Sequence, residues 1–202
     1  MISRGFRRKR ADTGGTAVPP GQYVTTDFPV LSAGPTPRTR IADWSFALED
    51  ADGKEMFRWG WFELLALPAT EVTVDIHCVT KWSKLGTRWK GVTFDDLVLA
   101  AGRPPPAPFV MAFCDGGYTT NLAVADLEAG KAMVAYEYDG HALAPEHGGP
   151  ARLLVPHLYF WKSAKWVRGL RFMQADAPGF WEGLGYHGRG DPWKEERYSS
   201  GW

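Results

Sequence analysis

The residue with the clearest capacity for chemistry is Cys78, which follows a stretch of alternating apolar side chains. Val72, Val74 and Ile76 recur at every second position, which is the spacing of a strand with one buried face. After Cys78 the chain becomes polar and aromatic through residues 79–83. Thiolate sulfur is a soft ligand that suits transition metals. A cysteine delivered at the end of a strand therefore predicts a metal site.

Cys78 taken alone also has other interpretations. Cysteine is among the most buried residue types, so a thiol at a strand end is more often a small core residue than a ligand. A zinc site would need partners from Cys114, His141, His147 and His157, and no pair of them has the short, regular spacing of a structural zinc site. A serine hydrolase is not indicated either, because the chain has no Gly-x-Ser-x-Gly motif.

Most of the elements that must position these residues are predicted to be strands. Asp52-Gly53 favours a hairpin between residues 44–48 and 56–59, because glycine accepts the positive φ of a tight turn. Since side chains alternate along a strand, His77 should face away from Cys78 and act as a structural histidine. The other predicted strands are residues 109–113, 132–138 with a turn at Asp139-Gly140, 151–155 and 165–172.

Two helices are predicted between the strands. The first covers residues 60–67 and is stopped by Pro68. The second begins after Thr93, with Asp96 three residues later, and ends at Gly102, where three prolines follow shortly after. Together with the strands, these helices predict an α+β domain with mostly strands in mixed sheets and a few short helices.

Length and composition limit the possible functions. The 202 residues are 45% hydrophobic, enough for one domain with short extensions. Lysine plus arginine and aspartate plus glutamate number 23 each, so no excess charge favours nucleic acid or an anionic membrane. No run of about eighteen apolar residues would span a bilayer. The two cysteines lack a disulfide spacing, which favours a reducing compartment, and we expect a cytoplasmic location.

The N-terminus is basic, but it lacks the pattern of an export signal. The cations Arg4, Arg7, Arg8, Lys9 and Arg10 are not followed by an apolar stretch of roughly seven to fifteen residues. We therefore expect a flexible basic tail over residues 1–20 and one domain over residues 21–202. The first part of that domain, from about Gly21 to Arg40, is rich in proline, threonine and serine and should be extended.

The run from His77 to Ser83, continued by residues 87–92, resembles the molybdenum-ligand segment of the sulfite oxidase family of molybdopterin enzymes. Residues 146–156 look like the family segment that supplies a histidine and an arginine to the pterin. Residues 161–167 resemble the family's phosphate-binding loop. These matches follow the family's order and, with a further one near residue 186, cover nearly the whole chain.

The resemblance implies a molybdenum ion held by molybdopterin, in the form without an added nucleotide. Cys78 would be the protein thiolate that binds molybdenum and would be catalytic. Tyr186 shares the spacing of the family's active-site tyrosine from Trp181, and it would donate a hydrogen bond at the metal or to substrate. Phe28 lies in a segment that would cover one side of the pterin. The residues implied to anchor the cofactor are His147, Arg152, Lys162, Ser163 and Lys165, since cationic donors suit an anionic phosphate.

The chain departs from the sulfite-oxidising members of that family. Ser83 stands where the family has an arginine, and residues 24–28 contain no cation where another arginine is expected. Sulfite is therefore poorly supported as a substrate, and the Cys-Val-x-x-Trp-Ser pattern is more similar to the periplasmic methionine sulfoxide reductase branch. A cationic rim formed by Lys81, Lys84 and Arg88 would still leave a small anion possible.

Two functions from different classes follow from these features. The first is oxygen-atom transfer to or from a small sulfur- or nitrogen-containing substrate, with a separate electron-transfer partner. The second is a non-catalytic carrier or interaction module that keeps the fold and the pterin. The missing arginines favour the carrier. The intact Cys78 segment favours the enzyme, because a carrier has less need of a thiolate ligand.

Overall fold

Two α-helices, six short 3-10 helices and eleven strands make up the fold of residues 17–199, the part of the chain that a computed structural model describes. Most of the expected basic tail, residues 1–20, lies outside the described residues. The helices are α1 Trp61–Leu65 and α2 Phe94–Ala101. The strands are β1 Tyr23–Val24, β2 Ser45–Glu49, β3 Glu55–Gly60, β4 Thr70–His77, β5 Trp82–Thr93, β6 Phe109–Cys114, β7 Thr119–Ala123, β8 Met133–Tyr138, β9 His141–Ala142, β10 Arg152–Leu154 and β11 Val167–Met173.

A six-stranded sheet positions Cys78. Its strands are arranged β1-β5-β8-β10, with β4 paired to β5 and β9 paired to β8. The β1–β5 pair is parallel and the other pairs of this sheet are antiparallel. Since β4 ends at His77, Cys78 begins the turn that leads into β5. The predicted strand before Cys78 is therefore confirmed.

The alternation rule does not predict β5, although with twelve residues it is the longest strand described. Its pairing changes register between Lys90 and Gly91, which breaks the two-residue period. A Cβ added at Gly91 would lie 2.3 Å from the carbonyl oxygen of Val134 on β8. Glycine is thus required for the close approach of these two strands.

A five-stranded sheet with the order β3-β2-β11-β6-β7 forms the second layer. The predicted hairpin is confirmed as β2–β3, in which Ser45 pairs with Gly60. The predicted strand over residues 165–172 begins later, at Val167, because Trp166 has a φ of 56° that lies outside the strand region. The edge strand β7 is not predicted from the sequence, because its threonine and asparagine side chains interrupt the apolar pattern.

The helices and the cores agree with the predicted α+β class. In α2, the Thr93 side chain accepts a hydrogen bond from the Asp96 main chain, and Gly102 ends the helix in the left-handed conformation. The main hydrophobic core includes residues of both sheets and of α2, among them Phe46, Leu97, Val110, Leu153 and Phe172. A second core under the Cys78 turn includes Ile76, Trp82, Trp89 and Leu154.

Candidate functional site

Seven of the eight predicted site residues meet at one cavity of about 580 Å³. Its lining combines the turn after β4, the extended segment 28–37, the loops around β10 and the loop that contains Tyr186. A cavity of this size suits a ligand as large as a cofactor. The predicted residues that line it are Phe28, Cys78, His147, Arg152, Ser163, Lys165 and Tyr186.

Cys78 opens a short turn, residues 78–82, which we call the thiol turn. The Cys78 amide donates to the Trp82 carbonyl over 2.8 Å, and the Lys81 amide donates to the Cys78 carbonyl over 3.0 Å. The Thr80 hydroxyl donates to Cys78 Sγ over 3.2 Å. Cys78 is 7% exposed and its burial raises the pKa of the thiol, which the hydrogen bond from Thr80 opposes. The turn thus holds a single sulfur at the cavity.

His77 and Ser83 lie beside the thiol turn but do not line the cavity. Their side chains contact each other, with His77 Nδ1 2.8 Å from Ser83 Oγ. Both residues are buried. His77 therefore has the structural role predicted for it. Ser83, at the position where the resemblance implies an arginine, brings no charge to the thiol turn.

Arg152 is a buried cation whose fork is already bonded to the main chain. Its Nη1 donates to the His147 carbonyl over 2.8 Å and its Nη2 to the Ser163 carbonyl over 2.5 Å. The guanidinium carbon lies 4.0 Å from the centre of the Phe160 ring. Burial lowers the pKa of Arg152 to about 9. The fork therefore supports two loops, and Nε is buried without a hydrogen-bond partner.

His147 and Lys165 join Arg152 to form what we call the cation cluster. Burial, together with the charge of Arg152, lowers the pKa of Lys165 to about 8. Burial and Arg152 also lower the pKa of His147. Among residues 17–199, none of the three side chains forms an ion pair with a carboxylate. The cluster therefore favours an anionic ligand, which would offset its mutual repulsion.

Glycine explains how the cation cluster can be so dense. Gly148 has a φ of 110°, and a Cβ added there would lie 3.0 Å from Arg152 Cβ and 3.1 Å from Lys165 Cα. A larger residue would separate the two cations. Ser163 Oγ accepts a hydrogen bond from the Val155 amide over 2.8 Å, which fixes the loop that carries the Ser163 carbonyl. Phe28 stacks on the His147 ring at a centroid distance of 3.9 Å.

Lys162 is placed differently from the other predicted anchors. Its side chain is fully buried, and its ammonium lies 2.6 Å from Glu182 Oε1. It also donates to the carbonyl and side-chain oxygens of Asn121 over 2.7 and 2.9 Å. The Lys162 side chain does not line the cavity, because these contacts direct it to the opposite side of its loop.

Glu182 is a site-building residue that the sequence alone did not reveal. Its Oε1 also accepts hydrogen bonds from Trp161 Nε1 over 2.8 Å and from the Thr120 hydroxyl over 2.7 Å. Trp161 lines the cavity. The only sequence signal was a lone carboxylate in an aromatic and glycine-rich stretch, residues 179–186. Such a charge must find a partner when the stretch is buried.

Three aromatic residues, Trp161, Trp181 and Tyr186, form what we call the aromatic wall. The Tyr186 ring lies 5.2 Å from the Trp161 ring and 5.1 Å from the Trp181 ring. Burial raises the pKa of the Tyr186 phenol, and the nearby Tyr198 and Cys78 add to the rise. The wall therefore holds a protonated hydroxyl in the same cavity as the thiol.

The cationic rim predicted around the thiol is not found at the cavity. Lys81, Lys84 and Arg88 do not line it. Lys84 Nζ donates to the Thr26 carbonyl over 2.5 Å, and Arg88 lies 3.6 Å from Asp139. Of the Lys and Arg residues within 17–199, only Arg152 and Lys165 of the cation cluster line the cavity. The remainder of the lining is mainly aromatic and apolar.

Two further features of the described chain bear on the alternatives. Within residues 17–199, no three or more His, Cys, Asp or Glu side chains are grouped so that they could hold a metal ion. The cysteines and histidines considered above for zinc are therefore not grouped as a metal site in this part of the chain. No helix in the same range is long and apolar enough to cross a membrane.

Comparison with known proteins gives one family. Residues 33–181 match the model described as "Oxidoreductase molybdopterin binding domain". YuiH of Bacillus subtilis (strain 168), named as an uncharacterized oxidoreductase, is 42% identical over 195 residues, which span 96% of this chain and 98% of YuiH. YedZ1 of Azospira oryzae, named as a candidate protein-methionine-sulfoxide reductase subunit, is 28% identical over 170 residues, which span 83% of this chain and 64% of YedZ1.

One solved structure with a similar fold is the sulfane dehydrogenase SoxCD of Paracoccus pantotrophus. The TM-score is 0.60 at 21% sequence identity, over 69% of this chain and 40% of the SoxCD chain. The chain thus spans nearly all of YuiH but less than two thirds of YedZ1 and of the SoxCD chain. The SoxCD similarity concerns the fold.

Proposed function

Because this chain belongs to the family of sulfite oxidase-like, molybdopterin-binding oxidoreductase domains, we propose that the cavity beside Cys78 holds its molybdenum–molybdopterin cofactor. One observation carries this proposal: a buried thiol, the cations Arg152 and Lys165 and the imidazole of His147 line the same cavity, and none of these three basic side chains pairs with a carboxylate among residues 17–199. Molybdenum accepts thiolate sulfur, and the pterin's phosphate requires cations. The cavity thus offers both a ligand for the metal and cations for the phosphate of the same cofactor.

The residues of the cavity fit this cofactor in kind. Cys78 would bind the metal through its sulfur. Arg152 Nε is a buried donor without a partner, and with His147 and Lys165 it would bind the anionic part of the pterin. Ser163 would contribute indirectly, because its hydroxyl fixes the loop whose carbonyl binds the Arg152 side chain. Phe28, which stacks on His147, would cover one side of the pterin. In this arrangement Lys162 supports the loop from behind through Glu182.

The bound cofactor would supply the two-electron redox chemistry of oxygen-atom transfer. The protein's own residues would bind and orient the substrate. The phenol of Tyr186 lines the cavity with Cys78 and would donate a hydrogen bond to the substrate oxygen. Trp161 and Trp181 hold the Tyr186 ring on two sides. The aromatic lining would also exclude water from the reaction.

We propose a small, uncharged sulfur or nitrogen compound as the substrate. The Lys and Arg residues of the lining belong to the cation cluster, and they would be occupied by the cofactor. Ser83 is uncharged, and Lys81, Lys84 and Arg88 do not line the cavity, so no further Lys or Arg from residues 17–199 contributes to its lining. An oxyanion would therefore lose its hydration without a compensating charge. The carrier alternative is weakened, because the thiol that a carrier does not need lines the cavity.

The location, domain and partner remain part of this proposal. Cys78 and Cys114 are free thiols, which supports a reducing compartment such as the cytoplasm. Residues 21–202 would form one cofactor-binding domain. The electrons would be exchanged with a separate protein, and the naming of the relative YedZ1 as a subunit supports such a partner.

Turnover with an artificial electron donor tests the proposed function. The enzyme, purified from a molybdenum-replete host, would be mixed with reduced benzyl viologen and with dimethyl sulfoxide, trimethylamine N-oxide or nitrate. We expect an uncharged substrate to give a kcat/KM at least about tenfold above that of nitrate, a difference that one uncompensated charge can produce. Tyr186→Phe should lower that kcat/KM while leaving the molybdenum content unchanged.

Faster turnover of nitrate in this assay, or of sulfite with an artificial acceptor, would contradict the proposed substrate class. Absence of turnover with every substrate, in enzyme that holds molybdenum and pterin, would favour the carrier instead. Cys78→Ser is the control for background reduction by the dye, because it removes the proposed metal ligand.

A further inference from the structure

Two carbonyl groups of the thiol turn are bonded by side chains from distant parts of the sequence. Gln22 Nε2 donates to the Cys78 carbonyl over 3.1 Å. Arg197 Nη1 donates to the Val79 carbonyl over 2.7 Å. One donor lies near the start of the described chain and the other near its end. The turn that carries the thiol is therefore held from both sides.

Arg197 is well placed for this contact because its side chain is buried between the thiol turn and the segment that precedes β1 in the chain. The residue is 9% exposed. Its Nη2 donates to the Pro20 carbonyl over 3.3 Å, so the two arms of one guanidinium join the thiol turn to the segment that contains Gln22. The guanidinium carbon also lies 5.0 Å from the centre of the Tyr159 ring. Arg197 Nη2 also lies 3.9 Å from Glu195 Oε1.

The segment that carries Arg197 is itself attached to the aromatic wall. Tyr186 and Tyr198 form an isolated bridge between their main chains, and the His187 amide donates to the Arg197 carbonyl over 3.2 Å. The main chain at Arg197 and Tyr198 is thus fixed relative to Tyr186. Through its side chain, Arg197 then fixes the thiol turn relative to the same wall.

We infer that Arg197, assisted by Gln22, is a positioning residue that orients the Cys78 sulfur toward the cavity. The inference rests on the proposed role of Cys78 as the metal ligand. The bonds to the Cys78 and Val79 carbonyls hold the two peptide planes that follow Cys78, and with them the direction of its Cα–Cβ bond. A lysine at 197 would retain the charge but could not bond the Val79 and Pro20 carbonyls with two arms in one plane.

Hydrogen–deuterium exchange of the purified, cofactor-loaded chain tests this inference with a readout other than activity. Arg197→Met should raise the exchange rate over residues 78–82 by roughly tenfold, since a hydrogen bond from a charged group is lost, and should leave residues 109–114 of the second sheet unchanged. Gln22→Leu should give a smaller increase and serves if Arg197→Met does not fold. Arg197→Lys should give an intermediate rate.

The matched control is Arg171→Met, which removes a guanidinium bonded to Glu49 over 2.8 Å on the other sheet. It should leave exchange over residues 78–82 unchanged. The electron paramagnetic resonance spectrum of the bound molybdenum provides a second readout. It should change in Arg197→Met and return toward the original spectrum in Arg197→Lys, whereas Arg171→Met should not alter it.

Two results would overturn the role of Arg197. One is exchange over residues 78–82 within about twofold of the original rate in both Arg197→Met and Gln22→Leu. The other is an equal acceleration over residues 109–114, which would indicate general loosening. Failure of the metal assignment is a separate result: Cys78→Ser would then retain molybdenum, while the exchange response to Arg197→Met could still be present.

Discussion

Replacing Glu182 by glutamine is expected to cost the protein a large part of its stability. The change preserves the shape of the side chain but removes the charge opposite the Lys162 ammonium. That ammonium is 0% exposed and lies 2.6 Å from Glu182 Oε1. Its remaining bonds to Asn121 are to uncharged oxygens. The variant would therefore bury a cation without a countercharge.

The magnitude follows from the burial of both partners. Breaking a buried ion pair by removing one charge costs about 3–5 kcal/mol. For a chain of this length each kcal/mol corresponds to about 2–4 °C in Tm, so Tm should fall by about 6–20 °C. Trp161 Nε1 and the Thr120 hydroxyl can still donate to the glutamine oxygen, so these bonds add little to the loss.

Differential scanning calorimetry of the purified chain would measure the effect. The matched control is Glu55→Gln, which breaks the ion pair between Arg58 and Glu55, whose side chains are 49% and 45% exposed. An exposed pair contributes at most about 1 kcal/mol, so this Tm should fall by less than about 4 °C. The double variant with Lys162→Met and Glu182→Gln should recover part of the loss, because the uncompensated cation is gone.

A Tm for Glu182→Gln no lower than that of Glu55→Gln would refute this reasoning. So would a double variant that is less stable than Glu182→Gln. Either result would mean that the contact between Lys162 and Glu182 contributes little to the free energy of unfolding. The position of Trp161 in the aromatic wall would then depend on contacts other than Glu182.

Three further predictions concern other parts of the molecule. Thr93→Ala removes the cap of α2 and should lower the unfolding free energy by about 1 kcal/mol in urea titrations; no change would mean that the cap is not needed. Burial raises the pKa of Asp126, but hydrogen bonds from His157 and Arg189 outweigh it and lower the pKa. The stability that results is present above about pH 4 and is lost as the pH falls toward the pKa of the folded state. Asp126→Asn should therefore reduce the fall of Tm with decreasing pH below about pH 4. An unchanged dependence of Tm on acid pH would contradict this. Burial lowers the pKa of Lys165 to about 8, so pterin retention after gel filtration should weaken above pH 8, where the lysine loses its charge. Lys165→Met should weaken retention already at pH 7 and remove the dependence on pH. Retention by this variant equal to that of the original chain would exclude Lys165 from the site.

Local signals in the sequence were sufficient for much of the fold. The strand before Cys78 and the caps of α2 at Thr93 and Gly102 are determined by neighbouring residues, and both are confirmed. The strand β5 was not predictable in this way. Its pairing depends on Gly91 and on a carbonyl of β8, which are far apart in the sequence, and its register shift hides the alternation.

The candidate site was likewise predictable where local motifs define it and not where distant residues meet. Family resemblance led to seven of the residues that line the cavity, because each sits in a short contiguous motif. It did not reveal that Lys162 pairs with Glu182, since the two belong to different motifs. Arg197 was also missed, because it lies in a mixed-charge stretch, and its contact with Val79 joins residues that are distant in the sequence. Such contacts exist only after the chain has folded.

Metal and pterin analysis of Cys78→Ser beside Cys114→Ser tests the central claim most directly. Both thiols are buried, but only Cys78 lines the cavity. Plasma mass spectrometry and pterin fluorescence should give near-stoichiometric molybdenum and pterin in the original chain and in Cys114→Ser. Cys78→Ser should keep most of the pterin and lose the molybdenum. Molybdenum retained at the original level in Cys78→Ser would contradict the assignment of Cys78 as its ligand.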